Sequence, residues 1–171
     1  MMHEQDGSVL YAARVRPMAR RMYDGAAAVI GLLTCLPWII VIVLGDPIHL
    51  LLPALLTPVL VAVIAVLLLL ARRSFVVTTR GIWITGVLGR RWIPWEQVRA
   101  IEVETASLRL GGAAVLLRDG RRAGSLITAS NAAWLRGEDR IAPGAAQLDT
   151  SRPVREARAA HAAHLRDRAA R

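Results

Sequence analysis

His161 and His164 have the spacing of a pair of metal ligands, because positions three apart share a helical face. No cysteine and no third histidine stands near them: His3, Cys35 and His49 are all far away in sequence. We therefore expect no metal site and no cofactor. Glu102 and Glu104 fall on one side of a single strand, a geometry open to acid–base work, but carboxylates on the wet face of a strand ordinarily serve solvation. Cys35 sits inside a long apolar run, which excludes an intramolecular disulfide, and Thr34 spoils Leu32-Leu33-Thr34-Cys35 as a lipidation motif. There is no phosphate-binding glycine loop with its lysine and no nucleophile elbow, and Gly111-Gly112 and the pair Gly86 and Gly89 read as turns. The inventory favours a binding protein over an enzyme.

What the chain has in quantity is arginine. All 22 basic residues are Arg, for a net charge of +9. Together with the abundant alanine this reflects composition as much as function, so the charge alone does not argue for nucleic acid. Arginine close to a bilayer is nonetheless drawn to anionic headgroups, by about 1 kcal/mol per residue. Arg90, Arg91, Arg118, Arg121 and Arg122 fall in turn regions and are the candidate contacts for an anionic lipid surface or an acidic partner. Trp83, Trp92 and Trp95 are expected as core anchors of a small β domain, with an exposed ligand platform as the lesser alternative.

The elements that carry these residues are of two kinds. With 54% hydrophobic residues, mean hydropathy +0.40 and only 5% aromatics, the apolar content is aliphatic and concentrated. Residues 25–45 and 47–71 are free of charge apart from the turn at Gly45-Asp46-Pro47, and each is long enough to cross a hydrocarbon core of about 30 Å. They predict two transmembrane helices in a tight antiparallel hairpin, with Pro37, Pro53 and Pro58 as kinks eased by Thr34 and Thr57. A soluble helical hairpin is the lesser alternative. Arg14, Arg16, Arg20 and Arg21 precede the first span and Arg72 and Arg73 follow the second, so residues 1–24 are expected as a cytoplasmic tail. That places a multi-pass protein in the plasma membrane with both termini cytoplasmic.

Past Arg73 the texture turns to short β-type segments split by Gly, Asp and Arg. Ser74 to Thr78, Ile82 to Thr85, Arg90 to Ile93, Val98 to Thr105, Val115 to Arg118 and Gly124 to Thr128 give about six antiparallel strands. Ile101 and Val103 alternate with Glu102 and Glu104, and Asp119-Gly120 suits a type I′ hairpin turn. A small barrel or sandwich over 72–136 is the natural closure. Residues 137–153 read as a linker, and 154–171 as a basic Ala/Arg-rich tail, solvated or helical, with a thin apolar stripe of Ala157, Ala160, His161, His164 and Leu165.

Three stretches, Thr78-Thr79-Arg80-Gly81-Ile82, Ile93-Pro94-Trp95-Glu96-Gln97-Val98 and Arg118-Asp119-Gly120-Arg121, resemble the bacterial PH-domain family of small membrane proteins, with Gly81, Pro94, Trp95, Asp119 and Gly120 as its structural positions. The resemblance covers about residues 72–136. It implies a membrane α-helical hairpin plus a mostly-β, PH-like antiparallel barrel or sandwich closed by a short C-terminal helix. Residues 131–136 behind Ser130, with Trp134 in the barrel mouth, are one candidate for that helix, and Val154 to Ala170 is the other. The loop Thr79-Arg80-Gly81 carries a single Arg, so phosphoinositide recognition is not carried over. The expected role is a membrane-anchored scaffolding module that contacts protein partners or the membrane surface. A membrane-tethered nucleic-acid binder using the Arg-rich tail is the runner-up.

Overall fold

The computed structural model describes residues 7–44, 50–86, 89–105, 109–138 and 151–170. The turn at Gly45-Asp46-Pro47, His3, His49 and the body of the expected linker, 139–150, lie outside the described residues. The chain divides into two compact units, Pro17–Ala71 and a second made of Met1–Arg16 with Arg72–Arg171.

The first unit is a pair of helices packed against each other, α1 (Pro17–Leu44) and α2 (Leu51–Ala71). The stretches Pro17–Val43 and Pro53–Ala71 have mean hydropathies of 2.6 and 2.9. Their large apolar side chains point outward: Leu32 is 73% exposed, Ile42 78% and Leu55 70%. A water-soluble helical pair buries such a surface, whereas a hairpin in lipid needs it outside. The pair is therefore a membrane hairpin. α1 begins at Pro17, a good first helical residue because its missing N–H would be unpaired there anyway, so the helix takes in Arg20, Arg21 and Asp24 ahead of the charge-free run. Pro37 and Pro58 are interior, whereas Pro53 falls in the first turn of α2 and needs no compensation. The Thr34 and Thr57 hydroxyls donate to the carbonyls of Ile30 (2.7 Å) and Pro53 (2.6 Å), and Trp38 Nε1 donates to Thr57 Oγ1 (2.9 Å), tying the two helices together.

Among the described residues the second unit has seven strands, one more than the sequence suggested, because Val9–Arg14 is a strand, β1, and not part of a tail. Tyr11 and Ala13 are its inward residues, and its partner is β2 (Ser74–Thr78), in register from Arg14 opposite Ser74 to Ala12 opposite Val76. The membrane hairpin is thus inserted between two neighbouring strands of one sheet. β3 (Gly81–Gly86) and β4 (Gly89–Pro94) complete that sheet in the order β1-β2-β3-β4. A second antiparallel sheet has the order β5-β6-β7, from Val98–Val103, Ala113–Leu117 and Arg122–Gly124. The expected last strand stops at Gly124, and Leu126–Thr128 is a 3-10 turn held by Thr128 Oγ1, which donates to the Ser125 carbonyl (2.7 Å) and accepts the Ala113 N–H (3.0 Å).

The turn joining β6 to β7 also differs from expectation. Gly120 has φ of 83°, but no described non-glycine residue has positive φ, so Asp119 cannot adopt a type I′ geometry. Gly120 N–H donates to the Leu117 carbonyl (3.1 Å) and Leu117 N–H to Arg121 (2.8 Å), the pattern of a type I turn followed by a glycine bulge.

Both sheets and a long helix share one core. Phe75, Val77, Ile82, Ile84, Ile93 and Trp95 come from the first sheet and its exit, and Val98, Ile101, Val115 and Leu117 from the second. Val154, Ala157 and Ala160 come from α4 (Arg152–Ala169). The C-terminal segment is therefore a docked helix and not a solvated tail. The stretch at 131–136 does not take that role: Ser130–Ala132 is a 3-10 turn without a side-chain cap, and α3 (Ala133–Arg136) ends at once on Gly137, φ 76°. Trp134 stays outside the core cluster, against which Leu135 packs instead.

Candidate binding site

The three stretches singled out in the sequence meet at one end of the β unit. Thr78 closes the β2–β3 turn on itself: its hydroxyl donates to the Gly81 carbonyl (2.9 Å) and accepts the N–H groups of Gly81 (3.2 Å) and Arg80 (3.3 Å). Pro94 ends β4 opposite Gly81, and the chain enters the 3-10 turn Trp95–Gln97. Trp95 is 1% exposed, with its N–H bonded to the Arg80 carbonyl (3.2 Å) and its Nε1 to the Thr78 carbonyl (3.2 Å). Gly81 is required by close approach, since a Cβ there would lie 2.8 Å from the Trp92 ring and 2.9 Å from Pro94 Cα.

Beside this knot α4 runs past the sheet and completes a cleft of about 600 Å³. Its lining comes from three separated segments: Thr79 and Arg80 from the β2–β3 turn, Trp92, Pro94 and Glu96 from β4 and the turn after it, and His164, Asp167 and Arg168 from α4. An apolar wall of Trp92 and Pro94 faces two guanidinium groups, two carboxylates and an imidazole. No local motif could have revealed it, because the nearest signal in α4 is separated from the rest by the whole second sheet.

α4 is seated by His161, which the sequence left in a detached tail. Its ring packs against Trp95, centroids 5.6 Å apart, and His164 lies 6.5 Å from the same indole. Burial, more than the neighbouring His164 and Arg118, pushes the His161 proton affinity below the ordinary histidine value, against a backbone hydrogen bond at Val98 that favours the charged form. Its Nε2 is buried without a hydrogen-bond partner. The two histidines thus bracket a tryptophan, and among the described residues no three His, Cys, Asp or Glu come together as a metal set.

A second buried polar cluster fastens β1 to the region after β7. Arg136, its side chain 3% exposed, pairs with Glu138 (2.6 Å) and donates to the carbonyls of Ile127 and Ala129. Glu138 Oε1 accepts the Tyr11 hydroxyl (2.9 Å), and burial followed by the Glu138 charge holds that hydroxyl protonated well above its ordinary range.

The candidate arginines separate into two groups. Arg90 and Arg91 open β4, where Arg90 stands opposite Thr85, Thr85 opposite Ser74, and Ser74 opposite Arg14. Arg118, Arg121 and Arg122 lie at the other end, where Arg118 N–H bonds to the Gln97 carbonyl (2.9 Å). Arg121 pairs with Asp119 (3.3 Å) and Arg122 with Glu102 (3.2 Å), exposed pairs of small energetic weight, which also gives Glu102 a structural partner.

Of the three tryptophans expected in the core, only Trp95 is there. Trp83 and Trp92 are cross-strand neighbours on the outer face of the first sheet, half-buried, with ring centroids 4.9 Å apart. The period-2 alternation decides this: Ile82, Ile84 and Ile93 occupy the inward positions between them. The Arg90 guanidinium sits 4.0 Å over the Trp83 ring.

No family model, curated protein or solved structure matches this chain.

Proposed function

We propose that this protein is a membrane-anchored, non-enzymatic scaffolding module: a PH-like β unit held at the cytoplasmic face of the plasma membrane by a two-helix anchor, with a segment of a partner protein in the cleft beside α4. The PH-like assignment draws support from the four-stranded and three-stranded sheets with a C-terminal helix, and from the knot that unites Thr78, Gly81, Pro94 and Trp95. The cytoplasmic orientation draws support from Arg14, Arg16, Arg72 and Arg73 flanking the hairpin.

The observation that carries the reading is the composition of the cleft. Arg80 and Arg168 are balanced there by Glu96 and Asp167, over a wall of Trp92 and Pro94. A polypeptide, with charges of both signs and apolar side chains, complements such a surface. The phosphate backbone of a nucleic acid needs a one-signed basic surface, so the nucleic-acid reading ranks behind. Crosslinking from a photoreactive residue at Glu96 in native membranes tests the proposal. A discrete protein adduct that disappears in Asp167→Arg and persists in high salt supports it, whereas adducts with nucleic acid, or none, would refute it.

A further inference from the structure

The outer face of the first sheet carries a second surface, which shares Trp92 with the cleft. The register sets Arg14, Ser74, Thr85 and Arg90 side by side in one row across all four strands, with the Ser74 and Thr85 hydroxyls bonded at 2.9 Å. The next row on the same face, two residues along each strand, is Ala12, Val76, Trp83 and Trp92. One row is cationic and hydrogen-bonding, the other apolar and aromatic, and neither contains an acidic residue. Arg90 joins them by lying over Trp83.

The first row is also the end of the sheet from which the chain departs into the membrane hairpin: β1 leads into Pro17 through Val15 and Arg16, and β2 begins just after Ala71, Arg72 and Arg73. Chain connectivity alone keeps this row within a few residues of the two helix ends, and the ends of a membrane hairpin are where a chain meets the headgroup layer. Half-buried tryptophan with an adjacent guanidinium suits that layer, where the indole accepts an apolar environment and the cation meets phosphate. A buried core gains nothing from such an arrangement, and the pair is not part of the core.

We propose that the Trp83–Trp92 face, with Arg14 and Arg90, docks on the anionic phospholipid surface of the bilayer that holds the hairpin. The charge complementarity is one-sided, so the ligand is the anionic headgroup layer and not a zwitterionic one. This rests on the membrane-anchor reading but not on the partner assigned to the cleft.

The test uses the full chain with Trp38→Phe, to silence the tryptophan of the hairpin, in nanodiscs containing brominated phosphatidylglycerol or brominated phosphatidylcholine. Docking is read as lipid quenching of tryptophan emission. The expected result is stronger quenching by the anionic lipid, lost when Trp83→Phe and Trp92→Phe are combined. Arg14→Gln and Arg90→Gln should each weaken docking about fivefold, the weight of one interfacial arginine, with unchanged circular dichroism. Equal quenching by both lipids, or quenching that survives the loss of both tryptophans, would overturn the proposal. So would a Trp83-dependent emission change with polyglutamate in neutral discs without anionic-lipid quenching, which would assign the face to an acidic polypeptide. Failure to reconstitute into discs would overturn the anchor itself, and is thereby distinguishable from failure of this surface alone.

Discussion

Shortening Val154 to alanine asks whether the C-terminal helix is part of the fold. Val154 is fully buried on the docked face of α4, in one cluster with Phe75, Trp95 and Val98. Val154→Ala removes two carbons, about 1.6 kcal/mol of transfer free energy at roughly 0.8 per methylene. The cavity left behind raises the loss to about 2–3 kcal/mol. Alanine is the better helix former by about 0.5 kcal/mol, which leaves a net loss of roughly 1.5–2.5 kcal/mol. For a β unit of this size each kcal/mol corresponds to about 4–8 °C, so the melting temperature should fall by roughly 6–20 °C. Leu165→Ala on the exposed side of the same helix is the control, expected within about 0.5 kcal/mol of the parent. The assay is near-ultraviolet circular dichroism of the full chain in detergent, with Trp95 as the reporter against α4. If V154A melts with the parent, α4 does not dock on the core and the cleft does not exist.

Other perturbations probe single joints. Gly81→Ala should cost about 1–3 kcal/mol of β-unit stability in chemical denaturation, because its methyl would collide with Trp92 and the β4 backbone. Arg136→Met should cost about 3–5 kcal/mol by stranding the Glu138 carboxylate, and Arg136→Met with Glu138→Gln should recover part of it. Acid should loosen α4: with its proton affinity lowered in the fold, His161 contributes stability that is full above about pH 6.5, the unfolded value, and lost as pH falls through the lower folded value. Hydrogen exchange of the α4 amides, corrected for intrinsic rates, should show protection lost in mild acid in the parent and retained in His161→Phe.

How much of this was legible in the sequence follows from the range of the forces involved. The two apolar spans and the β-branched strand at Ser74 are local in composition, and the strand at Val98 is local in alternation, so all could be read directly. Trp95 and Gly81 were recognisable as structural through their neighbours in the motif. β1 was not, because Val9–Arg14 pairs with a strand beyond the entire hairpin and is short, with Tyr11 and Ala13 as its only buried apolar residues. α4 was underestimated because small residues bury it: Ala157 and Ala160 leave a weak apolar stripe by hydropathy, yet they let the helix approach closely enough for Val154 and His161 to reach the core. Trp83 and Trp92 were assigned inward on residue type, where strand parity outranks it: positions 83 and 92 face away from Ile82, Ile84 and Ile93. The cleft and the aromatic face were invisible for a related reason, since each is assembled from segments that only tertiary structure brings together.

In the proposed topology the hairpin holds the β unit at the cytoplasmic membrane surface. Alkaline phosphatase and green fluorescent protein, each fused after Ala170 of the full chain in a bacterial host, test it most directly. A cytoplasmic β unit gives fluorescent membranes from the second fusion and inactive phosphatase from the first. Active phosphatase at that position would place the β unit on the opposite side of the membrane and refute this topology.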